Sequence, residues 1–154
     1  MKVRIVELSE IPNRIDEAIE YVWGCWGNDS NRNFYADCMS NSLDPSKSLP
    51  KFYFALTDSM IVGSYALITN DLISRQDFMP WFACLFVNQE YRNLGIAEQL
   101  LNHSLVETKR KGYTTLYLST DLVNFYERKG WTYLCNGYNF KGTEVKIYSK
   151  TTTE

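Results

Sequence analysis

A chain of 154 residues, 45% apolar and 22% charged, has the length and composition of one soluble globular domain with a buried core. Its 16 Lys and Arg against 18 Asp and Glu leave a formal net charge of −2, so it carries no basic footprint for nucleic acid or anionic lipid, and neither is expected as a partner. No apolar run approaches membrane-spanning length, and 4 scattered cysteines without a C-x-x-C pair read as buried free thiols of a cytoplasmic protein.

In chain order, Val3–Leu8 alternates as a first strand. Asn13 is placed to cap a helix with Ile15, Ala18, Ile19, Val22, Trp23 and Trp26 on one stripe. After a polar turn over Asn28–Asn33, Phe34–Met39 reads as a second, short helix, followed by the loop SLDPSKSLP. Lys51–Thr57 and Ile61–Thr69 form a hairpin joined near TDSM. Trp81–Val87 is apolar on both faces, the pattern of a central strand. Leu94–Lys111 has helical spacing at Ile96, Leu100, Leu101 and Leu105, and it ends in a cationic turn and Gly112. Thr115–Ser119 is a strand. Leu122–Lys129 is expected as a short helix, capped by Thr120 or Asp121 and stopped by Gly130. Trp131–Tyr138 and Glu144–Ser149 finish as strands. The expected fold is α/β: a single mixed, mostly antiparallel twisted sheet of about seven strands flanked by four helices, all in one domain over residues 1–154.

The stretch VNQEYRNLGIA joins the central strand to the long helix. Amides at a helix N-terminus are unpaired and carry partial positive charge, so that end attracts phosphate. Gly95 lets a phosphate approach the backbone, Ala97 keeps the next turn bare, and Arg92 adds charge. The segment reads as a pyrophosphate cradle. It lacks the Lys-Ser/Thr pair of a P-loop and the glycines of a G-x-G-x-x-G turn.

Further along, the strand TLYLST leads into FYERKGW. The two motifs, in this order, resemble the GNAT N-acetyltransferase superfamily. The resemblance runs from Lys51 to Tyr138. In that family an R/Q-x-x-G-x-G/A turn grips the pyrophosphate of acetyl-CoA, matched here by Arg92, Gly95 and Ala97. A later Y-E-x-x-G-F/W segment supplies a tyrosine near the thioester sulfur, matched by Tyr126, Glu127, Gly130 and Trp131. The resemblance implies that the main chain of Leu85, Phe86 and Val87 bonds the pantetheine arm, and that the amides of Asn93, Leu94, Gly95, Ile96 and Ala97 meet the phosphates. It implies acetyl-CoA as co-substrate and Tyr126 as the catalytic acid. Two positions depart from the family pattern. Ser119 stands where an asparagine is frequent, which leaves Asn124 as the nearest amide for a CoA contact, and Trp81 stands where some members carry a glutamate base.

The remaining candidates carry less chemistry. His103 is the only histidine and sits along the long helix, away from the cradle end. A single histidine with no carboxylate cluster leaves no metal site. Cys84 on the central strand has no histidine nearby in sequence to activate it. Asp71 and Asp77 flank the loop before Trp81 and read either as solvated loop acids or as contacts for a cationic acceptor. Trp23, Trp26, Phe34 and Tyr35 fall in the region that resembles the acceptor wall, where an aromatic face for an amine would act through cation–π contact.

The function expected on these grounds is transfer of an acetyl group from acetyl-CoA to the primary amine of a small molecule, by direct attack in a ternary complex. Peptide or protein N-acetylation differs only in the acceptor groove, and a non-catalytic CoA-sensing module is the alternative from another class. A homodimer is compatible with the sequence.

Overall fold

The computed structural model describes residues 1–152; Thr153 and Glu154, the end of the expected domain, lie outside the described residues. Seven strands form one sheet: β1 (Arg4–Glu7), β2 (Lys51–Thr57), β3 (Met60–Ile68), β4 (Trp81–Val87), β5 (Thr115–Thr120), β6 (Thr132–Tyr138) and β7 (Glu144–Thr151). They lie in the order β1-β2-β3-β4-β5-β7-β6. Every neighbouring pair is antiparallel except β4 and β5.

The apolar runs follow from coverage on both faces. All seven residues of β2 are buried, and their alternation feeds two cores. Tyr53 and Ala55 join the layer under α3 (Ile96–Arg110), which contributes Ile96, Leu100 and Leu101. Phe52, Phe54 and Leu56 join the opposite layer under α1 (Ile15–Trp26) and α2 (Arg32–Asn41), with Ala18, Ile19, Val22 and Met39. A sheet buried on both sides needs apolar residues at successive positions, which is what KFYFALT supplies.

Three local expectations are corrected. The expected fourth helix over Leu122–Lys129 is a single 3-10 turn, Glu127–Lys129, so three α-helices flank the sheet among the described residues. Asn124 sits at φ 62°, a left-handed conformation that interrupts any helix passing through it, although Thr120 Oγ1 does accept from the Leu122 amide at 3.0 Å. The long helix starts at Ile96 and not Leu94, because Asn93 (φ 64°) and Gly95 (φ 83°) are both left-handed. Asn13 lies in a 3-10 turn, Pro12–Arg14, and does not cap α1, whose first residue follows Arg14 without a side-chain cap.

Candidate active site

The site is a parting of the sheet. β4 and β5 pair in parallel register only at Trp81↔Tyr117, reinforced by the Tyr117 amide donating to Pro80 O at 3.1 Å. Beyond that point no β4–β5 pair forms among the described residues, so the β5-facing edge of β4 over Phe82–Val87 is left open. Trp81 is fully buried at the joint, where its indole N–H donates to Phe78 O at 2.7 Å and fixes the ring.

A bulge in β4 shapes the open edge. The β3–β4 register shifts between Ser64 and Ala66, opposite Cys84 and Leu85, and Cys84 takes φ 58°. Such an extra residue bends the strand and leaves main-chain groups unpaired. Ser64 Oγ donates to Cys84 O at 3.1 Å and holds the bulge in place.

Two cavities occupy the gap. One, of about 490 Å³, is lined by Leu85, Phe86, Val87, Arg92, Gly95 and Lys129, with Asn93, Ile96, Ala97 and Glu98 around them. At its floor α3 begins just after Gly95, its N-cap position, without any side-chain cap, so the first-turn amides keep their donors for a ligand. Arg92 is anchored for this place: its Nε donates to Val87 O at 2.8 Å and its guanidinium lies 5.3 Å from the Phe86 ring centroid. The other cavity, of about 500 Å³, is lined by Tyr126 with Phe82, Ala83, Cys84, Trp26, Tyr35 and Asp71, and continues past Ser119, Thr120 and Asp121. Leu85, Leu122 and Phe125 border both, so the two form one groove.

Tyr126 reaches the groove through a helix-terminating motif. The Trp131 amide donates to Tyr126 O at 3.0 Å and the Gly130 amide to Glu127 O at 3.1 Å, with Gly130 at φ 86°. Those two bonds and a left-handed glycine define a Schellman cap, whose usual hydrophobic contact here joins Trp131 to Tyr126, ring centroids 6.1 Å apart. The Y-E-x-x-G-W spacing is therefore the spacing of that cap. Glu127 ties the turn to β7 by accepting from the Tyr148 hydroxyl at 2.5 Å, and this bond holds its carboxyl below the ordinary range.

Comparison with known proteins agrees with this geometry. The family model described as "Acetyltransferase (GNAT) domain" matches residues 49–133, more than half of the chain. The chain belongs to the GNAT acetyltransferase family. No curated protein sequence matches it significantly. Among solved structures it is similar to a GNAT-family protein from Desulfovibrio desulfuricans (16% identity, 99% of this chain and 100% of that one, TM-score 0.76). Aminoglycoside 6'-acetyltransferase type Ii is similar at 19% identity over 100% and 99% of the two chains, TM-score 0.72. A GNAT acetyltransferase from Elizabethkingia anophelis, solved with acetyl-CoA bound, is similar at 16% identity over 97% of each chain, TM-score 0.66.

In this GNAT acetyltransferase the residues singled out in the sequence divide clearly. Phe86, Val87, Arg92, Asn93, Gly95, Ile96 and Ala97 line one compartment, Tyr126 the other and Leu85 both, whereas Leu94 and Asn124 line neither. Leu94 is half exposed on the loop before the helix. Burial pushes the Tyr126 phenol up to about 12, so it is protonated at neutral pH, and its hydroxyl has no hydrogen-bond partner among the described residues. His103 lies on α3 over Tyr53 and Tyr65, its Nδ1 2.8 Å from the Tyr65 hydroxyl and its pKa lowered by burial, and it lines neither compartment. Burial raises the Cys84 thiol to about 12, which leaves almost no thiolate. Asp71 and Asp77 separate: Asp77 is exposed and pairs with Arg75 at 2.7 and 3.0 Å, while Asp71 lines the cavity.

Sequence reasoning passed over Lys129 and Phe125. Lys129 lines the cradle compartment with its ammonium 5.1 Å from the Phe125 ring centroid. The signal available was the motif itself, in which a cation, Lys129, stands directly before Gly130.

Proposed function

We propose that the protein transfers the acetyl group of acetyl-CoA to the primary amine of a small molecule, by direct attack within a ternary complex. The observation that carries this reading is the continuity of the groove. A cationic cradle at the start of α3 opens along the unpaired edge of β4 into a cavity lined by Tyr126.

The residues present fit the co-substrate. Uncapped α3 amides, Arg92 and Lys129 suit a pyrophosphate. The open main chain of Leu85, Phe86 and Val87 suits the amides of a pantetheine arm, which would add to β4 like a further strand. A pantetheine arm laid along that edge points its thioester toward the compartment of Tyr126. There the amine attacks the carbonyl carbon, the C–S bond breaks, and the phenol stabilises the departing thiolate by hydrogen bonding. Direct attack needs no protein nucleophile, and Cys84, the only thiol lining the cavity, is held protonated.

The test is a panel of small amines and N-terminal peptides offered with acetyl-CoA, with mass spectrometry of the products and initial-rate kinetics. Acetylated small amines with intersecting double-reciprocal lines support the reading. Parallel lines would replace direct attack with an acyl-enzyme, and acetylation of peptides alone would change the acceptor class. Tight CoA binding without turnover of anything offered would make the groove a sensor.

A further inference from the structure

We propose that Asp71 receives the acceptor's ammonium group and takes its proton, which makes the acceptors aliphatic amines that arrive charged. The proposal rests on the acetyl-transfer reading of the groove.

Asp71 follows β3 on a turn that is locked on both sides. The Ile73 amide donates to Asn70 Oδ1 at 2.9 Å, and Asn70 Nδ2 donates to Arg75 O at 3.3 Å. The Ser74 amide donates to Tyr138 O at 2.8 Å, Tyr138 returns its amide to Ser74 Oγ at 2.9 Å, and Ile73 bridges to Asn139. Leu72, next to Asp71, is forced to φ 56°, a conformation that costs an ordinary side chain about 1 kcal/mol or more. So much fixing of one short turn holds Asp71 in place in the cavity lining.

The carboxylate itself is unpaired. Arg75, the nearest cation along the chain, is committed to Asp77, and no cation or hydrogen-bond donor meets Asp71 among the described residues. Desolvation raises its pKa to about 7. An uncompensated carboxylate in a cavity is unfavourable for folding alone and is the ordinary signature of a working group.

Its surroundings select a cation. The titratable groups facing this cavity are Tyr35 from α2, Cys84 from β4, Asp121 beyond β5, and Tyr126; no Lys, Arg or His lines it. Asp71 is one of the charges that hold Tyr35 and Cys84 in their protonated forms, after burial itself. Trp26 is the last residue of α1, so the partly negative end of that helix meets the cavity, and Trp26 and Tyr35 add aromatic side chains to its lining. The other compartment carries Arg92 and Lys129. The groove is electrically polarised, cationic where a diphosphate would lie and anionic where an acceptor would enter.

The proton count closes. The ammonium gives one proton to the Asp71 carboxylate, and the freed nitrogen lone pair forms the C–N bond. As the C–S bond breaks, the Tyr126 phenol donates a hydrogen bond to the departing thiolate, and the second nitrogen proton passes to that sulfur as the amide forms. Asp71 then releases its proton to water, so one proton leaves per turnover. A carboxylate at its ordinary value is about 10⁶-fold less basic than an alkylamine, and one near 7 only about 10³-fold less, which is what makes the first transfer attainable.

The experiment compares wild type, Asp71→Asn and Asp71→Glu on a panel of alkylamines and arylamines, with acetyl-CoA affinity measured by calorimetry on each. Turnover of alkylamines in preference to arylamines is expected, and preference for arylamines overturns the proposal while leaving acetyl transfer intact. For the best alkylamine, wild-type kcat/KM should rise to a plateau above pH about 7. Asp71→Asn should lose about 10²-fold at neutral pH, and its kcat/KM should then climb with unit slope toward the pKa of the free amine. Asp71→Glu should restore the plateau in part, and all three proteins should bind acetyl-CoA alike. A wild-type profile in Asp71→Asn overturns the proposal. Absence of turnover on every amine, with acetyl-CoA still bound, removes the acetyl-transfer reading first and this one with it.

Discussion

At the residue scale the chemistry turns on how burial sets protonation. Burial raises the Tyr126 phenol to about 12, so it holds its proton throughout the working range, and a thiolate with a pKa around 8.5 cannot take that proton outright without an uphill step of about 10³. In the proposed reaction the phenol would therefore act mainly by donating a hydrogen bond to charge that develops on sulfur, an interaction of the transition state. Tyr126→Phe keeps the ring against Trp131 and Phe125 and removes only the donor. Its kcat should fall about 10²-fold, the lower end for a positioned acid, with acetyl-CoA affinity unchanged. A Tyr126→Phe enzyme as fast as wild type would take this hydroxyl out of the mechanism. Cys84 lines the same cavity, and burial holds its thiol protonated at about 12. Cys84→Ala should therefore keep turnover. Intact-mass measurement of the wild type mixed with acetyl-CoA alone should show no acetylated enzyme, and a mass gain that Cys84→Ala abolishes would reverse that assignment.

At the scale of elements, sequence patterns succeeded where one force dominated and failed where backbone conformation decided. Lys51–Thr57 and Trp81–Val87 were legible to the residue because short, β-prone apolar runs of this length suit a sheet covered on both faces. The expected helix after Thr120 failed at Asn124, since a left-handed residue leaves no trace in hydrophobic spacing. The start of α3 was misplaced for the same reason, by Asn93 and Gly95. That displacement matters, because it puts the uncapped amides of α3 after Gly95, at the wall of the groove. A Cβ at Gly95 would meet no atom within 4 Å, so the requirement for glycine here lies in φ 83° and in ligand access, not in crowding. Gly95→Glu should cut CoA affinity at least tenfold, about 1.4 kcal/mol, by calorimetry. Gly95→Asn, which tolerates the left-handed conformation and adds no charge, should lose less. Equal affinity in wild type and a folded Gly95→Glu would remove the cradle.

Across the whole molecule, the groove exists because the sheet is two blocks, β1–β4 and β5–β7, that touch at Trp81 and Tyr117 and then part. Neither the parting nor the bulge at Cys84 could be read from the chain, because both depend on pairing partners far apart in sequence. The two motifs were legible because each is local, a helix start and a Schellman cap. Opening the sheet also leaves the molecule carrying Asp71 as an unpaired acid in the gap, and that has a consequence for stability. Its pKa is about 7 in the folded protein against 3.8 in the unfolded chain, so between these values the folded state binds the extra proton. Stability from this group is therefore fully present below pH 3.8 and lost as pH rises through 7. The loss is on the order of 2–4 kcal/mol, its upper end from a difference of about 3 pH units at ~1.4 kcal/mol each. Asp71→Asn, neutral at every pH, should be more stable than wild type by that order at pH 8, with the difference shrinking toward pH 4.5. Urea titrations of both proteins at pH 4.5, 6 and 8 read this directly. A variant no more stable than wild type at pH 8 would mean that water or a counter-ion already compensates the carboxylate, and that the gap is wetter than its lining implies.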